Sequence, residues 1–376
     1  MSAPPYDVID DDERLAFERL DPTNSVRLIL PTDGEQAGDR YDRAASTMQG
    51  WLADGILEAD AEPRFYGYRM DFTDAAGRRR HTLGVLGALG LPDVVGEGGI
   101  LPHERTIPKA KSDRLDLLRS TRANLDPIWG LTLSRGFAGL VDQSRELAHC
   151  TDELGVEHRL FAIDDPERIA AISAAVASAP LVLADGHHRF ETACNYRNER
   201  DASDSGATAI MAFVVELTDE ELCIEAIHRL VTLPAGFDAR SALADAFRIE
   251  RADELATADP TTLLLVDHDG IWHLHPIDDV VDELLDVEPE PVRVTDAAVV
   301  EHVVAPRWPH AEWVFRHDHA AIVQLVREGR YSAGLVLRAA TVESTRGAAE
   351  LGVRMPQKTT FFYPKPRTGM VFRSLD

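Results

Sequence analysis

Strand-like and helix-like stretches alternate along most of this 376-residue chain, which confines it to mixed sheets with flanking helices. The fold class is α/β, with α+β as its near neighbour. Apolar or alternating runs at 25–30, 64–72, 82–89, 180–184, 208–217, 263–266, 312–315 and 333–337 read as strands, 82–89 pairing with 64–72. Helical spacing marks 40–54, 111–124, 166–178, 189–200, 296–304, 320–327 and 341–351. Asp267, His268, Asp269 and Gly270 predict a hairpin turn with 272–275 as its return strand. The length is large for one core, so the expectation is two lobes around a central cleft. A main α/β lobe would span 1–277. A second would span 278–376 and send its C-terminal strand back to the cleft. The acidic, proline-punctuated stretch 278–291 is the expected linker.

Charge narrows the function. A net charge of -25 argues against a general affinity for nucleic acid or anionic membranes. The amino terminus is acidic and lacks the order of a secretion signal, and no apolar run approaches the ~20 residues of a membrane span. Three scattered cysteines fit neither a disulfide framework nor a metal knuckle, so the expected location is the cytoplasm. Lysine is nearly absent: of 39 cationic Lys and Arg residues only Lys109, Lys111, Lys358 and Lys365 are lysines. A flexible, tunable ammonium kept in two clusters, in a chain that otherwise takes Arg, points to sites that need it.

The strongest local motif runs from Leu181 to Ala193. An apolar strand ends at Ala184, Gly186 makes a turn, and a helix starts near Arg189. That order aims free backbone N–H groups and a helix dipole at the turn, which suits an anion. Gly186 lets the backbone approach a phosphate, while His187, His188 and Arg189 add donors. Asp185 stands where a general base or metal ligand would reach the same anion.

A second segment, 99–114, is a loop held extended by Pro102 and Pro108, carrying His103, Glu104, Arg105, Thr106, Lys109, Lys111 and Arg114. In a third, 355–369, Gln357, Lys358, Thr359 and Thr360 precede an aromatic strand, and Lys365 and Arg367 follow. It reads as a strand completing a sheet and carrying Lys358 to a pocket. Tyr6, Asp7, Asn24 and Arg27 are polar candidates on loops facing the site. His273 with His275, and His317 with His319, share strand-like spacing but lack a third ligand, so they read as surface histidines and any metal site is unknown. No Walker loop, dinucleotide fingerprint or Gly-x-Ser-x-Gly elbow is present.

The runs Pro-Pro-Tyr-Asp-Val-Ile, Asn-Ser-Val-Arg-Leu, Pro-His-Glu-Arg-Thr, Ala-Asp-Gly-His-His-Arg-Phe-Glu-Thr-Ala and Met-Pro-Gln-Lys-Thr-Thr-Phe-Phe-Tyr-Pro-Lys together resemble the prokaryotic family called domain of unknown function 1015. They spread from residue 3 to 371; Phe190, where Tyr is expected, and Pro366-Arg367 depart from the pattern. More distantly, Asp185 to Arg189 looks like the phosphate turn of the superfamily of chromosome-partition nucleotidases, sulfiredoxin and ADP-dependent free serine kinase. That likeness implies nucleotide binding at Gly186, His187, His188 and Arg189.

The combined reading is a phosphotransferase acting on a small hydroxylated metabolite, with ATP or ADP as donor and Mg²⁺ as counterion. Serine enters as acceptor only through the distant likeness. Lys358 and Lys109 would neutralise the transferring group, with Lys111 and Lys365 as further cationic contacts. Glu104 or Asp185 would take the hydroxyl proton, with His103 beside them. The alternatives are a phosphoester or nucleotide hydrolase using the same pocket, and a non-catalytic sensor of a phosphate-bearing small molecule.

Overall fold

The computed structural model describes residues 2–93, 99–105, 112–201, 204–252 and 262–376. Its centre is an eight-stranded sheet in the order Ile100–Pro102, Leu181–Asp185, Ile128–Thr132, Ala209–Glu216, Arg79–Gly90, Phe65–Thr73, Glu157–Ile163, Glu146–Thr151. Ile100–Pro102 runs parallel to Leu181–Asp185, and Ile128–Thr132 parallel to Ala209–Glu216; the other pairings are antiparallel. The class is therefore mixed α/β, as the alternation implies.

Strand periodicity sorts the core. Val182 and Ala184 join Tyr68, Trp129 and Phe213 on one face, while Leu181 and Leu183 join Ile128, Phe190 and Cys194 on the other. Both faces are covered, which explains why Leu181–Asp185 reads as a continuous apolar run. Helix Pro166–Ala177 starts on an Asp165 cap with Pro at its first position, the arrangement a helix start favours.

A second, six-stranded antiparallel sheet has the order Phe247–Ala252, Gly270–Pro276, Leu264–Asp267, Ala333–Val336, His228–Thr232, Glu312–Arg316. The expected hairpin at 267–270 is present within it. Its strands come from both sides of residue 278. Among the described residues, no helix is long and apolar enough to cross a membrane.

Three local expectations change. Residues 25–30 form a short helix, Val26–Ile29, rather than a strand: Asn24 Oδ1 accepts the Val26 N–H at 3.0 Å and starts the turn. The stretch 278–291 contains helix Asp278–Leu285, which buries Val281 and Leu285 against the second core, and the start of helix Glu290–Arg293. Phe361–Tyr363 does pair as a strand, but with Cys223–Glu225 in a sheet of their own. There Phe362 seals one face of the eight-stranded sheet against Trp129.

Candidate functional site

Leu181–Asp185 ends in Gly186, whose φ of 86° and ψ of 26° are left-handed and suit glycine. A Cβ there would meet Ile128 Cγ2 at 3.0 Å and Arg189 Nε at 3.1 Å. Helix His187–Asn198 follows at once, two positions earlier than the sequence predicts, because Gly186 itself makes the turn into it. Gly186, in the cap position, offers no side chain to cap this helix, and the first turn holds no acid. Its first residue, His187, has its ring 5.4 Å from that of His103, which belongs to the second candidate segment.

His103 arrives from the strand Ile100–Pro102, the parallel neighbour of Leu181–Asp185. It is buried, with Nδ1 2.6 Å from the Leu183 carbonyl oxygen and Nε2 2.8 Å from Thr360 Oγ1. Nδ1 must donate to that carbonyl. The Thr360 hydroxyl gives its hydrogen to Glu104 Oε1 at 2.8 Å, so the pattern closes when Nε2 donates as well. The His103 and His187 rings lie 5.4 Å apart.

Glu104 is fully engaged. Its Oε2 accepts the Lys358 N–H at 2.9 Å, and its Oε1 accepts the N–H groups of Thr359 at 3.1 Å and Thr360 at 2.8 Å. Burial alone would raise this carboxyl, but His103 and the Thr360 donors outweigh it and bring it down to about 2.

Asp185 stands 3.5 Å from Lys365 Nζ and 3.1 Å from Arg189 Nη2. Burial opposes its charge, yet Lys365 and then Arg189 hold the carboxyl well below its ordinary range. Lys365 also lies over the Phe361 ring at 4.7 Å. Burial lowers His187 to about 4, helped by the neighbouring His103, and its buried Nε2 has no hydrogen-bond partner among the described residues. An orphaned buried nitrogen at an uncapped helix start is a feature that calls for a ligand.

A family model described as "Protein of unknown function (DUF1015)" matches residues 1–298. This chain belongs to the DUF1015 family. Comparison with curated proteins gives no match. Among solved structures, the chain is similar to a conserved hypothetical protein from Pyrococcus furiosus, at 12% identity and a TM-score of 0.38 over 74% of this chain and 92% of that one. It is similar to a free serine kinase in complex with AMP, at 12% identity and a TM-score of 0.37 over 70% and 83%. It is also similar to C-terminally truncated SbnI from Staphylococcus aureus, at 11% identity and a TM-score of 0.42 over 75% and 85%.

In this DUF1015 member, His103, Glu104, Asp185, Gly186, His187, Arg189 and Lys365 meet in one place. Lys358 comes there by its backbone: its φ is 57°, its N–H serves Glu104, and its side chain is exposed. Arg189 is not a free fork. It donates to the Pro127 carbonyl and to Asp185, and although burial lowers its pKa, Asp185, Asp7 and Asp126 raise it further. His188 is half-buried on the first turn. Lys109, Lys111 and Thr106 lie outside the described residues. Arg105 pairs with Glu288 and Glu301, and Arg114 with Asp113 while covering the Tyr6 ring at 4.4 Å. Asn24 and Arg27 bond to backbone, and Asp7 is exposed.

Asp126 escaped the sequence reading. It is buried, accepts the Thr368 hydroxyl, and burial raises it to about 6; Arg189 and Arg114 pull it down, Asp7 and Asp185 push it up. Nothing in Asn-Leu-Asp-Pro marks this residue, because its chemistry comes from groups remote in sequence. Arg229 was missed for the same reason.

His273 bonds Thr262 and His317 stacks on Phe361, while His319 turns to His228. Among the described residues, no group of three or more His, Cys, Asp or Glu side chains is arranged to hold a metal ion.

Proposed function

We propose that this protein is a nucleotide-dependent phosphotransferase whose donor phosphates, from ATP or ADP, rest on the Gly186–Arg189 turn. One observation supports the reading: the buried His187 Nε2, without a partner among the described residues, stands at the start of its helix, where Lys365 and His103 also converge. The opening N–H groups of the helix would hold phosphate oxygens. Lys365, flexible and already facing Asp185, would bridge to them. Arg189, locked by Pro127 and Asp185, would act as a fixed positive field and not as a clamp.

Proton transfer falls to a different carboxylate than Glu104 or Asp185. Both of those are held ionised by donors and cations, which makes them weak bases. Asp126, which lines a small cavity with Tyr6 and Arg189 and is raised to about 6 by burial, has the affinity a general base needs near neutrality. In the step proposed, the acceptor hydroxyl oxygen bonds to the terminal phosphorus, the bond from phosphorus to the bridging oxygen breaks, and the hydroxyl proton passes to Asp126. Glu104 keeps a positioning role, tying the 358–360 turn to His103. No step runs through a metal.

The test follows phosphorus by NMR in protein mixed with ATP or ADP and a pool of small hydroxylated metabolites, with and without Mg²⁺. Transfer to a metabolite is the expected result, and Lys365→Met should reduce it at least about tenfold while leaving the fold intact. Free phosphate alone would replace this reading with a hydrolase. Thermal stabilisation without turnover would make the protein a sensor.

A further inference from the structure

Arg229 stands on the core-facing side of the strand His228–Thr232 and is 3% exposed. It donates to the carbonyls of Ile227, Gln357 (3.4 Å) and Lys358 (3.0 Å), and lies over the Phe315 ring at 4.7 Å. These are carbonyl dipoles and a ring face. Among the described residues Arg229 makes no ion pair. Glu104 is the carboxylate whose field reaches it, but the oxygens of Glu104 are filled by the 358–360 turn and face His103. Burial draws the guanidinium down to about 10, the signature of a cation short of counter-charge.

The same guanidinium lines a cleft of about 370 Å³ between the 356–357 turn, the Trp313–Phe315 edge of the six-stranded sheet, and the π-helical Val300–Val304. That volume suits a small molecule. The other cation there, Arg105, is already matched by Glu288 and Glu301. The segment 106–111 that continues from Arg105 contains two lysines and no acid. Glu301 also lines the cleft but is turned to Arg105, so Arg229, beside the indole of Trp313, is the cation there with no carboxylate partner among the described residues, and its surroundings favour one negative charge on an organic body.

We propose that this cleft binds a small organic carboxylate, with Arg229 as its anchoring cation and Trp313 as a wall. A singly charged carboxylate fits better than a phosphate, which would bring a second charge that Arg105 is not free to meet. The proposal stands whether or not phosphate binds at Gly186. The two sites share the 357–360 turn, since Arg229 holds the Lys358 carbonyl and Glu104 its N–H.

Trp313 supplies the readout. A panel of carboxylates from lactate to benzoate is titrated into the full chain and into Trp313→Phe, each beside its uncharged amide and its phosphonate. We expect saturable quenching by at least one carboxylate, absent in Trp313→Phe, and weakened at least about tenfold by Arg229→Gln. Ala305→Leu, which fills the cleft from its half-exposed rim without touching Arg229, should weaken it equally while leaving the melting temperature unchanged. This second variant decides the matter if Arg229→Gln does not fold. No saturable carboxylate, equal binding of the amides, tighter binding of a phosphonate, or undiminished binding in Ala305→Leu would each overturn the proposal.

Discussion

Glu104 Oε1 accepts both the backbone N–H and the hydroxyl of Thr360, each at 2.8 Å, and so ties two segments more than 250 positions apart in the sequence. With the Lys358 and Thr359 N–H groups added, the carboxylate serves as the acceptor for a whole turn. Glu104→Gln would set an amide NH₂ against those N–H donors.

That substitution should lower stability at pH 7 by about 3 kcal/mol, measured by urea unfolding. The sign follows from the depressed carboxyl. Its contribution is complete above the ordinary value of 4.5 and disappears as pH falls through about 2. The gap between wild type and Glu104→Gln should therefore narrow steadily from pH 5 toward pH 2. A gap independent of pH would show that Glu104 is not held as a carboxylate by this turn.

Gly186→Ala adds a methyl to a left-handed residue and presses it toward Ile128 Cγ2, 3.0 Å away. The expected cost is about 1–2 kcal/mol in thermal or chemical unfolding, with a loss of nucleotide response larger than that cost explains. An alanine variant of wild-type stability would mean the turn tolerates another shape.

Asp126 is raised from 3.8 to about 6, the reverse of Glu104. The folded state holds this proton more tightly than the unfolded chain, so Asp126 opposes folding increasingly as pH rises from about 4 to 6. Asp126→Asn should match wild type near pH 4 and exceed it by up to about 3 kcal/mol at pH 7. The same variant should lose most phosphoryl transfer, whose wild-type rate should climb with pH through about 6. Full activity in the asparagine variant would remove Asp126 as the base.

Lys358 spends its strain on a left-handed backbone, with φ 57°, while its ammonium is exposed. Lys358→Gly relieves that strain and should leave stability equal or higher by about 1 kcal/mol in thermal unfolding. The Glu104 contact survives because it uses the N–H. If the ammonium neutralises transferred phosphate, turnover falls even though the fold is firmer.

Local pattern carried much of the fold into view. The predicted helices at 40–54 and 166–178 appear as Arg40–Ala53 and Pro166–Ala177, and the paired strands near 64–72 and 82–89 as Phe65–Thr73 and Arg79–Gly90. Residues 25–30 misled because a short apolar run is equally a buried strand or a buried helical turn, and the Asn24 side chain chose between them. Residues 278–291 misled because charge and proline hide an amphipathic helix whose buried face is only Val281 and Leu285. At the site, the Gly186 turn was legible from Asp185 to Arg189, since each feature lies within a few residues. Whether a given arginine or carboxylate is free or already spent was not. Arg189 loses its freedom to Pro127, Glu104 gives its oxygens to the 358–360 turn, and Asp126 is raised by burial, against the pull of Arg189. Those partners are set by sheet order, which no local motif encodes.

The central claim is that phosphate rests on the first turn of helix His187–Asn198. Backbone amide shifts in isotope-labelled protein titrated with ADP test it without requiring turnover. The account expects the Gly186, His187 and His188 amides to move furthest and to saturate together, with the response lost in Lys365→Met. Saturable shifts elsewhere with those three amides unmoved, or no shifts at millimolar ADP or ATP, would contradict it.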